Sequence, residues 1–264
     1  MTDVRQCYAA NLGGCAGRLE KEHCLSESVL RLGGTKTVQV SGHPWQTESI
    51  QNVGLKSLVA KVLCAKHNRS LSEVDSAGKR FCHQLVYAAN SLINPRERGT
   101  EYAGSENGTL LERWLLKYIC GCWAAGDFNK LLESQESVRP ESEWVNAVFG
   151  NSVLEKPRGL WLGGSDRRQF AFTYPLTMEM TFHLDSGHLL GAVFQINGIE
   201  LILNLTNLQA HLPGIVPEKA TYHPSSLMIV GRTQTGEGGM HHMTFDWNGR
   251  SFGKHIWIVH TRKF

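Results

Sequence analysis

The chain has 264 residues, 41% hydrophobic and 19% charged, which excludes a disordered polymer and leaves room for one large core or two modest ones. The formal charge of +3 is too small to name a partner, but it is unevenly spread: residues 1–80 carry 11 Lys/Arg against 7 Asp/Glu (+4), residues 101–150 carry 4 against 8 (−4), and residues 151–264 carry 10 against 8. No run approaches the roughly 18 apolar residues of a membrane span, and the opening MTDVRQCYAANLGG has no apolar leader core, so a cytoplasmic setting without membrane contact is expected, with the 7 cysteines serving metal binding and packing rather than disulfides.

Residues 1–35 read as loop-rich, punctuated by Gly13-Gly14 and Gly33-Gly34. Residues 36–40 suit a short strand before Ser41-Gly42-His43-Pro44 breaks it. Lys61-Val62-Leu63 leads into Cys64. A helix then begins near His67 and continues, with a break, through Ser72–Ala89; Phe81, Leu85, Val86 and Ala89 recur at helical spacing. Ser72 is a candidate cap, although Asp75 is a poor partner for a reciprocal capping box. Residues 91–109 read as a linker broken by Pro95, Gly99, Gly104 and Gly108. Residues 110–133 form the strongest helix, with Trp114, Leu115, Tyr118, Ile119 and Cys122 on its apolar face and Gly121 as a local weakness.

From about Leu160 the period changes to that of strands. Gln169–Tyr174 and Thr177–Leu184 alternate, and Leu189–Ile196 and Ile199–Leu205 flank Asn197-Gly198, a hairpin signal. Ser226–Val230 suits a further strand. Met243–Trp247 and Ser251–Val259 flank Asn248-Gly249, which reads as a second hairpin. Neighbours His241 and His242 point to opposite faces of such a strand, so they do not make a metal site together.

The chemistry-bearing residues are concentrated near the N-terminus. Cys7, Cys15, Cys64 and His67 form the best set of four zinc ligands, with the compact Cys64-x2-His67 pair at a strand-to-helix junction and the wider Cys7-x7-Cys15 pair closed through glycines. Such a staple would hold a weakly cored module together. Cys24 is the rival ligand, above all in place of Cys15. Between the halves lies Glu22-His23. A histidine can deprotonate water near neutral pH, and a carboxylate with an amide oxygen can hold Mg²⁺, so Glu22, His23 and Asn68 supply the functions that metal-assisted phosphodiester hydrolysis needs. Their bland alternative is a solvated Glu-His pair and a helix-start asparagine with no shared role. Lys21, Lys66 and Arg69 flank this group and suit phosphate contact, Arg69 best because of its bidentate geometry.

The run Cys7…Cys15…Glu22-His23…Leu63-Cys64-Ala65-Lys66-His67-Asn68-Arg69-Ser70-Leu71 resembles the His-Asn-His (HNH, ββα-metal) endonucleases, closest to their zinc-stapled, treble-clef-like versions. The resemblance covers roughly residues 5–75. It implies that Glu22 and Asn68 bind a catalytic Mg²⁺ or Mn²⁺, that His23 is the general base, and that Asn52, the central asparagine, supports it. Structural zinc would sit on Cys7, Cys15, Cys64 and His67. The proline that commonly follows the acidic-histidine pair is missing, the first cysteine pair is widened, and the fourth zinc ligand is a histidine.

The expected architecture is α+β: an HNH-like zinc-stapled ββα-metal module over residues 1–90, a linker and connector helix over 91–145, and a mostly antiparallel β domain over 146–264. The expected function is an endonuclease hydrolysing DNA, with RNA left open as a partner and a defence or restriction role implied by family analogy. Two alternatives stand beside it. One is a non-catalytic, zinc-containing nucleic-acid-binding or assembly protein. The other is a β domain that senses a regulatory ligand or protein partner and is coupled to a nuclease module. Homo-oligomerisation is left open.

Overall fold

The computed structural model describes residues 7–34, 36–40, 50–93, 101–127, 139–163, 178–185, 188–207, 215–232, 239–251 and 253–261. It divides into two compact units, each assembled from two stretches of chain: residues 1–79 with 113–153, and residues 80–112 with 154–264. Along the chain this gives an N-terminal mixed α/β region, a helical middle and a β-rich C-terminal region. No helix among the described residues is long and apolar enough to cross a membrane.

The first unit is built on an antiparallel pair, β1 (Leu19–Glu22) with β4 (Ala60–Cys64), in the register Leu19↔Cys64, Glu20↔Leu63 and Glu22↔Ala60. Between them the chain forms a short helix α1 (Glu27–Leu30) and a second antiparallel pair, β2 (Thr37–Val40) with β3 (Gln51–Gly54). The loop-rich reading of residues 1–35 therefore missed β1 and α1. Both are only 4 residues long, too short for local periodicity to register, and β1 is fixed by its pairing with β4 some forty residues on.

Cys64 ends β4 and opens α2 (Ala65–Ser70). Leu71 leaves helical geometry, and α3 (Ser72–Ile93) restarts immediately, as the break in the sequence pattern suggests. The unit takes α3 as far as Lys79, α4 (Gly108–Ala125) from Arg113 onward, and α5 (Ser142–Phe149). A Cβ at Gly78 would lie 2.3 Å from the Trp114 indole, so glycine is what lets α3 meet that ring. Leu63, Leu71, Val74, Trp114, Ile119 and Val145 form the buried centre. The sequence reading passed over α5, whose Trp144, Val145, Ala147 and Val148 are buried and whose end is set by Gly150 in the left-handed conformation (φ 79°). The connector helix is shorter than expected at its C-terminal end, and residues 128–138 lie outside the described residues.

The second unit contains two sheets. One has strand order β10-β6-β9-β8-β7, antiparallel throughout: β6 (Gly159–Gly163), β7 (Met178–Asp185), β8 (His188–Ile196), β9 (Ile199–Asn204) and β10 (Thr221–Tyr222). Asn197 (φ 47°) and Gly198 (φ 81°) close the β8–β9 hairpin with the positive-φ pair that their sequence specifies. The expected strand over Gln169–Tyr174 lies outside the described residues.

The other sheet has order β13-β11-β12-β5: β5 (Glu101–Asn107), β11 (Ser226–Arg232), β12 (Met240–Asp246) and β13 (His255–Thr261). It corrects two expectations. β5 lies inside what reads as a linker and pairs in parallel with β12. Asn248 (φ 52°) and Gly249 (φ 79°) make a turn of the expected kind, but β12 and β13 do not pair with each other. β11 lies between them, antiparallel to β12 and parallel to β13. In this unit Glu112 accepts a bond from the Leu160 backbone N–H at 2.7 Å and lies 2.8 Å from His223 Nε2, while the His223 ring stacks between Tyr222 and Trp247.

Candidate metal centre

The first unit brings Cys7, Cys15, Cys64 and His67 together, with one ligand atom from each lying within 4.8 Å of all the others. Local backbone explains how. Tyr8 N–H bonds to Val62 carbonyl at 2.9 Å, seating Cys7 beside β4. Positive φ at Gly13, Gly14 and Gly17 turns the chain back so that Cys15 rejoins Cys7. Ala65 N–H to Arg18 O (3.0 Å) and Lys66 N–H to Ala16 O (3.3 Å) tie that loop to the start of α2, where His67 faces inward.

His67 Nδ1 stands 3.5 Å from Cys7 Sγ, 3.6 Å from Cys15 Sγ and 3.4 Å from Cys64 Sγ. A tetrahedral zinc with Zn–S of about 2.3 Å and Zn–N of about 2.0–2.1 Å requires sulfur-to-nitrogen edges of about 3.6 Å, so the residues fit that ion. The three sulfurs suit zinc and do not suit a hard cation such as Mg²⁺. The Cys64 backbone N–H points at Cys7 Sγ at 3.4 Å, and a hydrogen bond to the Gly13 backbone steadies the His67 ring.

The electrostatics lead to the same ion. Burial pushes the Cys7 thiol up, and burial with the neighbouring Cys7 pushes Cys15 up to about 12. Burial also works against ionising Cys64, but backbone hydrogen bonds at His67 and Ala16 outweigh it and bring that thiol down. Burial, then Lys66, holds His67 below the ordinary histidine value, in the neutral form that ligates metal. Cys7 and Cys15 resist ionisation while Cys64 gives up its proton more readily, and all three would become thiolates once a dication supplied the compensating charge. The four residues would fill all four positions around such an ion, as in structural zinc sites, whereas catalytic sites keep one open.

The rival ligand Cys24 is not part of this group; it packs against Gly121 of α4. Lys21, Lys66 and Arg69 are exposed on the same unit, with Arg69 4.0 Å from the Glu20 carboxylate.

The expected catalytic residues are committed elsewhere. His23 Nε2 donates to the Leu55 carbonyl at 2.9 Å, and its Nδ1 faces Glu27 at 4.0 Å with the side chain only 14% exposed. Asn52 lies exposed in β3, paired in register with Gln39. Asn68 bonds to Glu20 at 3.2 Å and to Glu22. Glu22, expected to help hold Mg²⁺, accepts a short hydrogen bond from the Lys117 ammonium. These contacts, with the closed four-ligand metal cluster, overturn the endonuclease expectation. His23, Asn52 and Asn68 do not form a His-Asn-His arrangement, and no solvent-exposed hydrolytic site is found among the described residues.

Lys117 is the residue that sequence reasoning missed. Its side chain is 2% exposed and its Nζ also bonds both Asp75 oxygens, at 2.7 and 2.8 Å. Ser26 Oγ donates to Asp75 and accepts from Trp114 Nε1 at 2.9 Å. Burial alone would push the Lys117 ammonium down; the attraction of Asp75, then Glu22, outweighs it and raises its pKa above the usual lysine value. One signal was readable. Lys117 sits three residues after Trp114 inside an apolar helical run, on a face that must either reach solvent or find carboxylates.

No protein-family model, no curated protein and no solved structure matches this chain.

Proposed function

We propose that this chain is a non-catalytic binding or assembly protein whose N-terminal unit folds around a structural zinc ion. The observation that carries this reading is the closed tetrahedral set of Cys7, Cys15, Cys64 and His67, which leaves the ion no position for water or substrate. The β1–β4 pair running into α2 at the metal supports a zinc-stapled, treble-clef-like ββα module as the finer description of this unit. Nucleic acid is the partner class we propose. Exposed Lys21, Lys66 and Arg69, and the +4 balance of residues 1–80, support contact with a phosphate backbone.

The test uses the purified full chain. Metal analysis should return one zinc per chain. A labelled duplex and a labelled single strand, followed by fluorescence anisotropy across a salt series, should bind with an affinity that falls as salt rises. Reversing Lys66 and Arg69 to glutamate together should weaken binding by about tenfold or more at low salt, and no strand scission should accompany binding when Mg²⁺ or Mn²⁺ is added. Zinc retention with salt-independent binding, or none, would leave the structural ion in place and reject nucleic acid in favour of a protein partner. A chain that folds and holds no zinc would overturn the reading.

A further inference from the structure

We infer that Cys24 and Cys122 form a redox-sensitive thiol pair, which hydrogen peroxide converts into a disulfide joining the turn after β1 to α4. Neither residue belongs to the metal cluster, and both are free thiols within the first unit. Cys24 follows Glu22-His23 and is half-buried; Cys122 is 3% exposed.

Gly121 brings them together. A Cβ there would stand 3.2 Å from Cys24 Sγ, 3.3 Å from its Cβ and 3.4 Å from its Cα, so the glycine lets the Cys24 backbone itself lie against the helix. Glycine weakens a helix interior, and here the close approach is what it supplies. The two thiols are close enough to influence each other directly, and Tyr118 acts on Cys122 as well. Backbones packed this closely, one residue from the partner cysteine, are in reach of the roughly 4.4–6.8 Å Cα separation that disulfides use.

The burial difference assigns the order of events. The accessible Cys24 thiolate attacks one peroxide oxygen; the O–O bond breaks, leaving Cys24 as a sulfenic acid and releasing hydroxide, which takes up the thiol proton as water. The Cys122 sulfur then attacks the Cys24 sulfur, and the sulfenic hydroxyl leaves as a second water with the Cys122 proton. Two thiols and one peroxide become one disulfide and two waters. The neighbouring Cys24 thiol, then burial, holds the Cys122 thiol well above its ordinary value, which fits it to the second step rather than the first.

The experiment treats the zinc-loaded full chain with graded peroxide, blocks free thiols by alkylation, and maps peptides without reduction while a chromogenic chelator follows zinc release. The expected result is a Cys24–Cys122 cross-link that accumulates before zinc is lost. In Cys122→Ser, dimedone should trap Cys24 sulfenic acid about tenfold more than in the wild-type chain, because the resolving thiol is gone. Cys120→Ser should leave the cross-link unchanged. Zinc release and oxidation of Cys7, Cys15 or Cys64 ahead of any Cys24–Cys122 peptide would overturn the proposal. So would equal dimedone labelling of Cys24 in the two proteins. The wild-type peptide map decides the matter by itself if Cys122→Ser does not fold.

Discussion

Two cation-centred clusters lie within the first unit, and they solve the same problem in opposite ways. At Cys7, Cys15, Cys64 and His67 the protein gathers four ligands and leaves the positive charge to come from outside. At Glu22 and Asp75 it gathers two carboxylates and supplies the positive charge itself, from the Lys117 ammonium on α4. An imported ion can be removed, so the first cluster would make folding depend on metal supply. A built-in ammonium cannot leave, so the second is permanent and holds no vacancy for a catalytic ion. The difference teaches why Glu22, adjacent to a histidine and bonded to Asn68, is not a metal ligand here: its charge is already satisfied.

The largest effect should come from emptying the first cluster. Structural zinc supplies roughly 10–16 kcal/mol of apparent binding energy in small zinc-dependent peptides, and in them binding energy is folding energy. A high-affinity chelator, or Cys64→Ser, should therefore abolish the cooperative thermal transition of this unit, followed by circular dichroism. Even a loss of about 5 kcal/mol would lower the midpoint by roughly 10–20 °C. A metal-free chain that melts as the loaded one does would break the comparison, because the thiols would then be held by packing alone.

The second cluster should respond to mutation and not to chelation. Lys117→Ala leaves two half-buried carboxylates facing each other without their cation and should destabilise the chain by about 2–4 kcal/mol in urea melts, below the full cost of breaking a fully buried pair. Replacing the whole set with neutral near-isosteres, Lys117→Met with Glu22→Gln and Asp75→Asn, should recover most of that loss, since deleting a buried ion pair entirely is often close to neutral. A triple variant as unstable as Lys117→Ala would mean that the stem of Lys117, rather than its charge, carries the contribution.

pH separates the clusters further. Lys117 has a raised pKa in the fold, so its contribution is complete below the ordinary lysine value of 10.5 and disappears as pH rises through the higher folded value. The difference in melting temperature between the native chain and the neutral triple variant should therefore hold steady to about pH 10.5 and then shrink. A difference that already shrinks between pH 8 and 10 would place the ammonium in a less favourable environment than its three oxygen contacts indicate.

The sequence revealed one cluster and hid the other for a physical reason. Cysteine and histidine in metal spacing carry their chemistry wherever they meet, so the ligand set was readable, although only the fold decided Cys15 over Cys24. Lys117 and its carboxylates are ordinary surface-type residues until they are buried, and they lie 95 and 42 positions apart. The two Asn-Gly turns make the same point in the second unit. Both adopt the positive-φ pair that the sequence dictates, yet Asn197-Gly198 joins paired strands, while Asn248-Gly249 joins strands separated by β11. Turn chemistry fixes the direction of the chain; the sheet's long-range packing fixes the partner. The catalytic half of the resemblance to His-Asn-His nucleases failed at the same level while its metal-ligand half held, since Cys7, Cys15, Cys64 and His67 do meet, but Glu22, His23 and Asn68 are engaged by Lys117, Leu55 and Glu20.

The smallest expected effect tests how far the imported ion reaches into the fold. Phe149, the last residue of α5, meets the His67 ring edge-on at 5.3 Å between centroids, and Trp144 in the same helix meets Trp123 at 5.9 Å. The ligand ring thus has the three cysteine sulfurs on one side and Phe149 of α5 on the other. Aromatic pairs of this kind contribute about 0.5–1.5 kcal/mol beyond their buried area, so Phe149→Leu, which keeps most of the apolar volume, should weaken zinc affinity by roughly 3- to 10-fold in competition with a chromogenic chelator. The Lys117 cluster provides the internal control: its alkaline limb should not move. If zinc affinity is unchanged while overall stability falls, α5 packs beside the metal without helping to orient its histidine. If both change together, the packing of α5 and the affinity of the metal site are coupled through the Phe149–His67 contact.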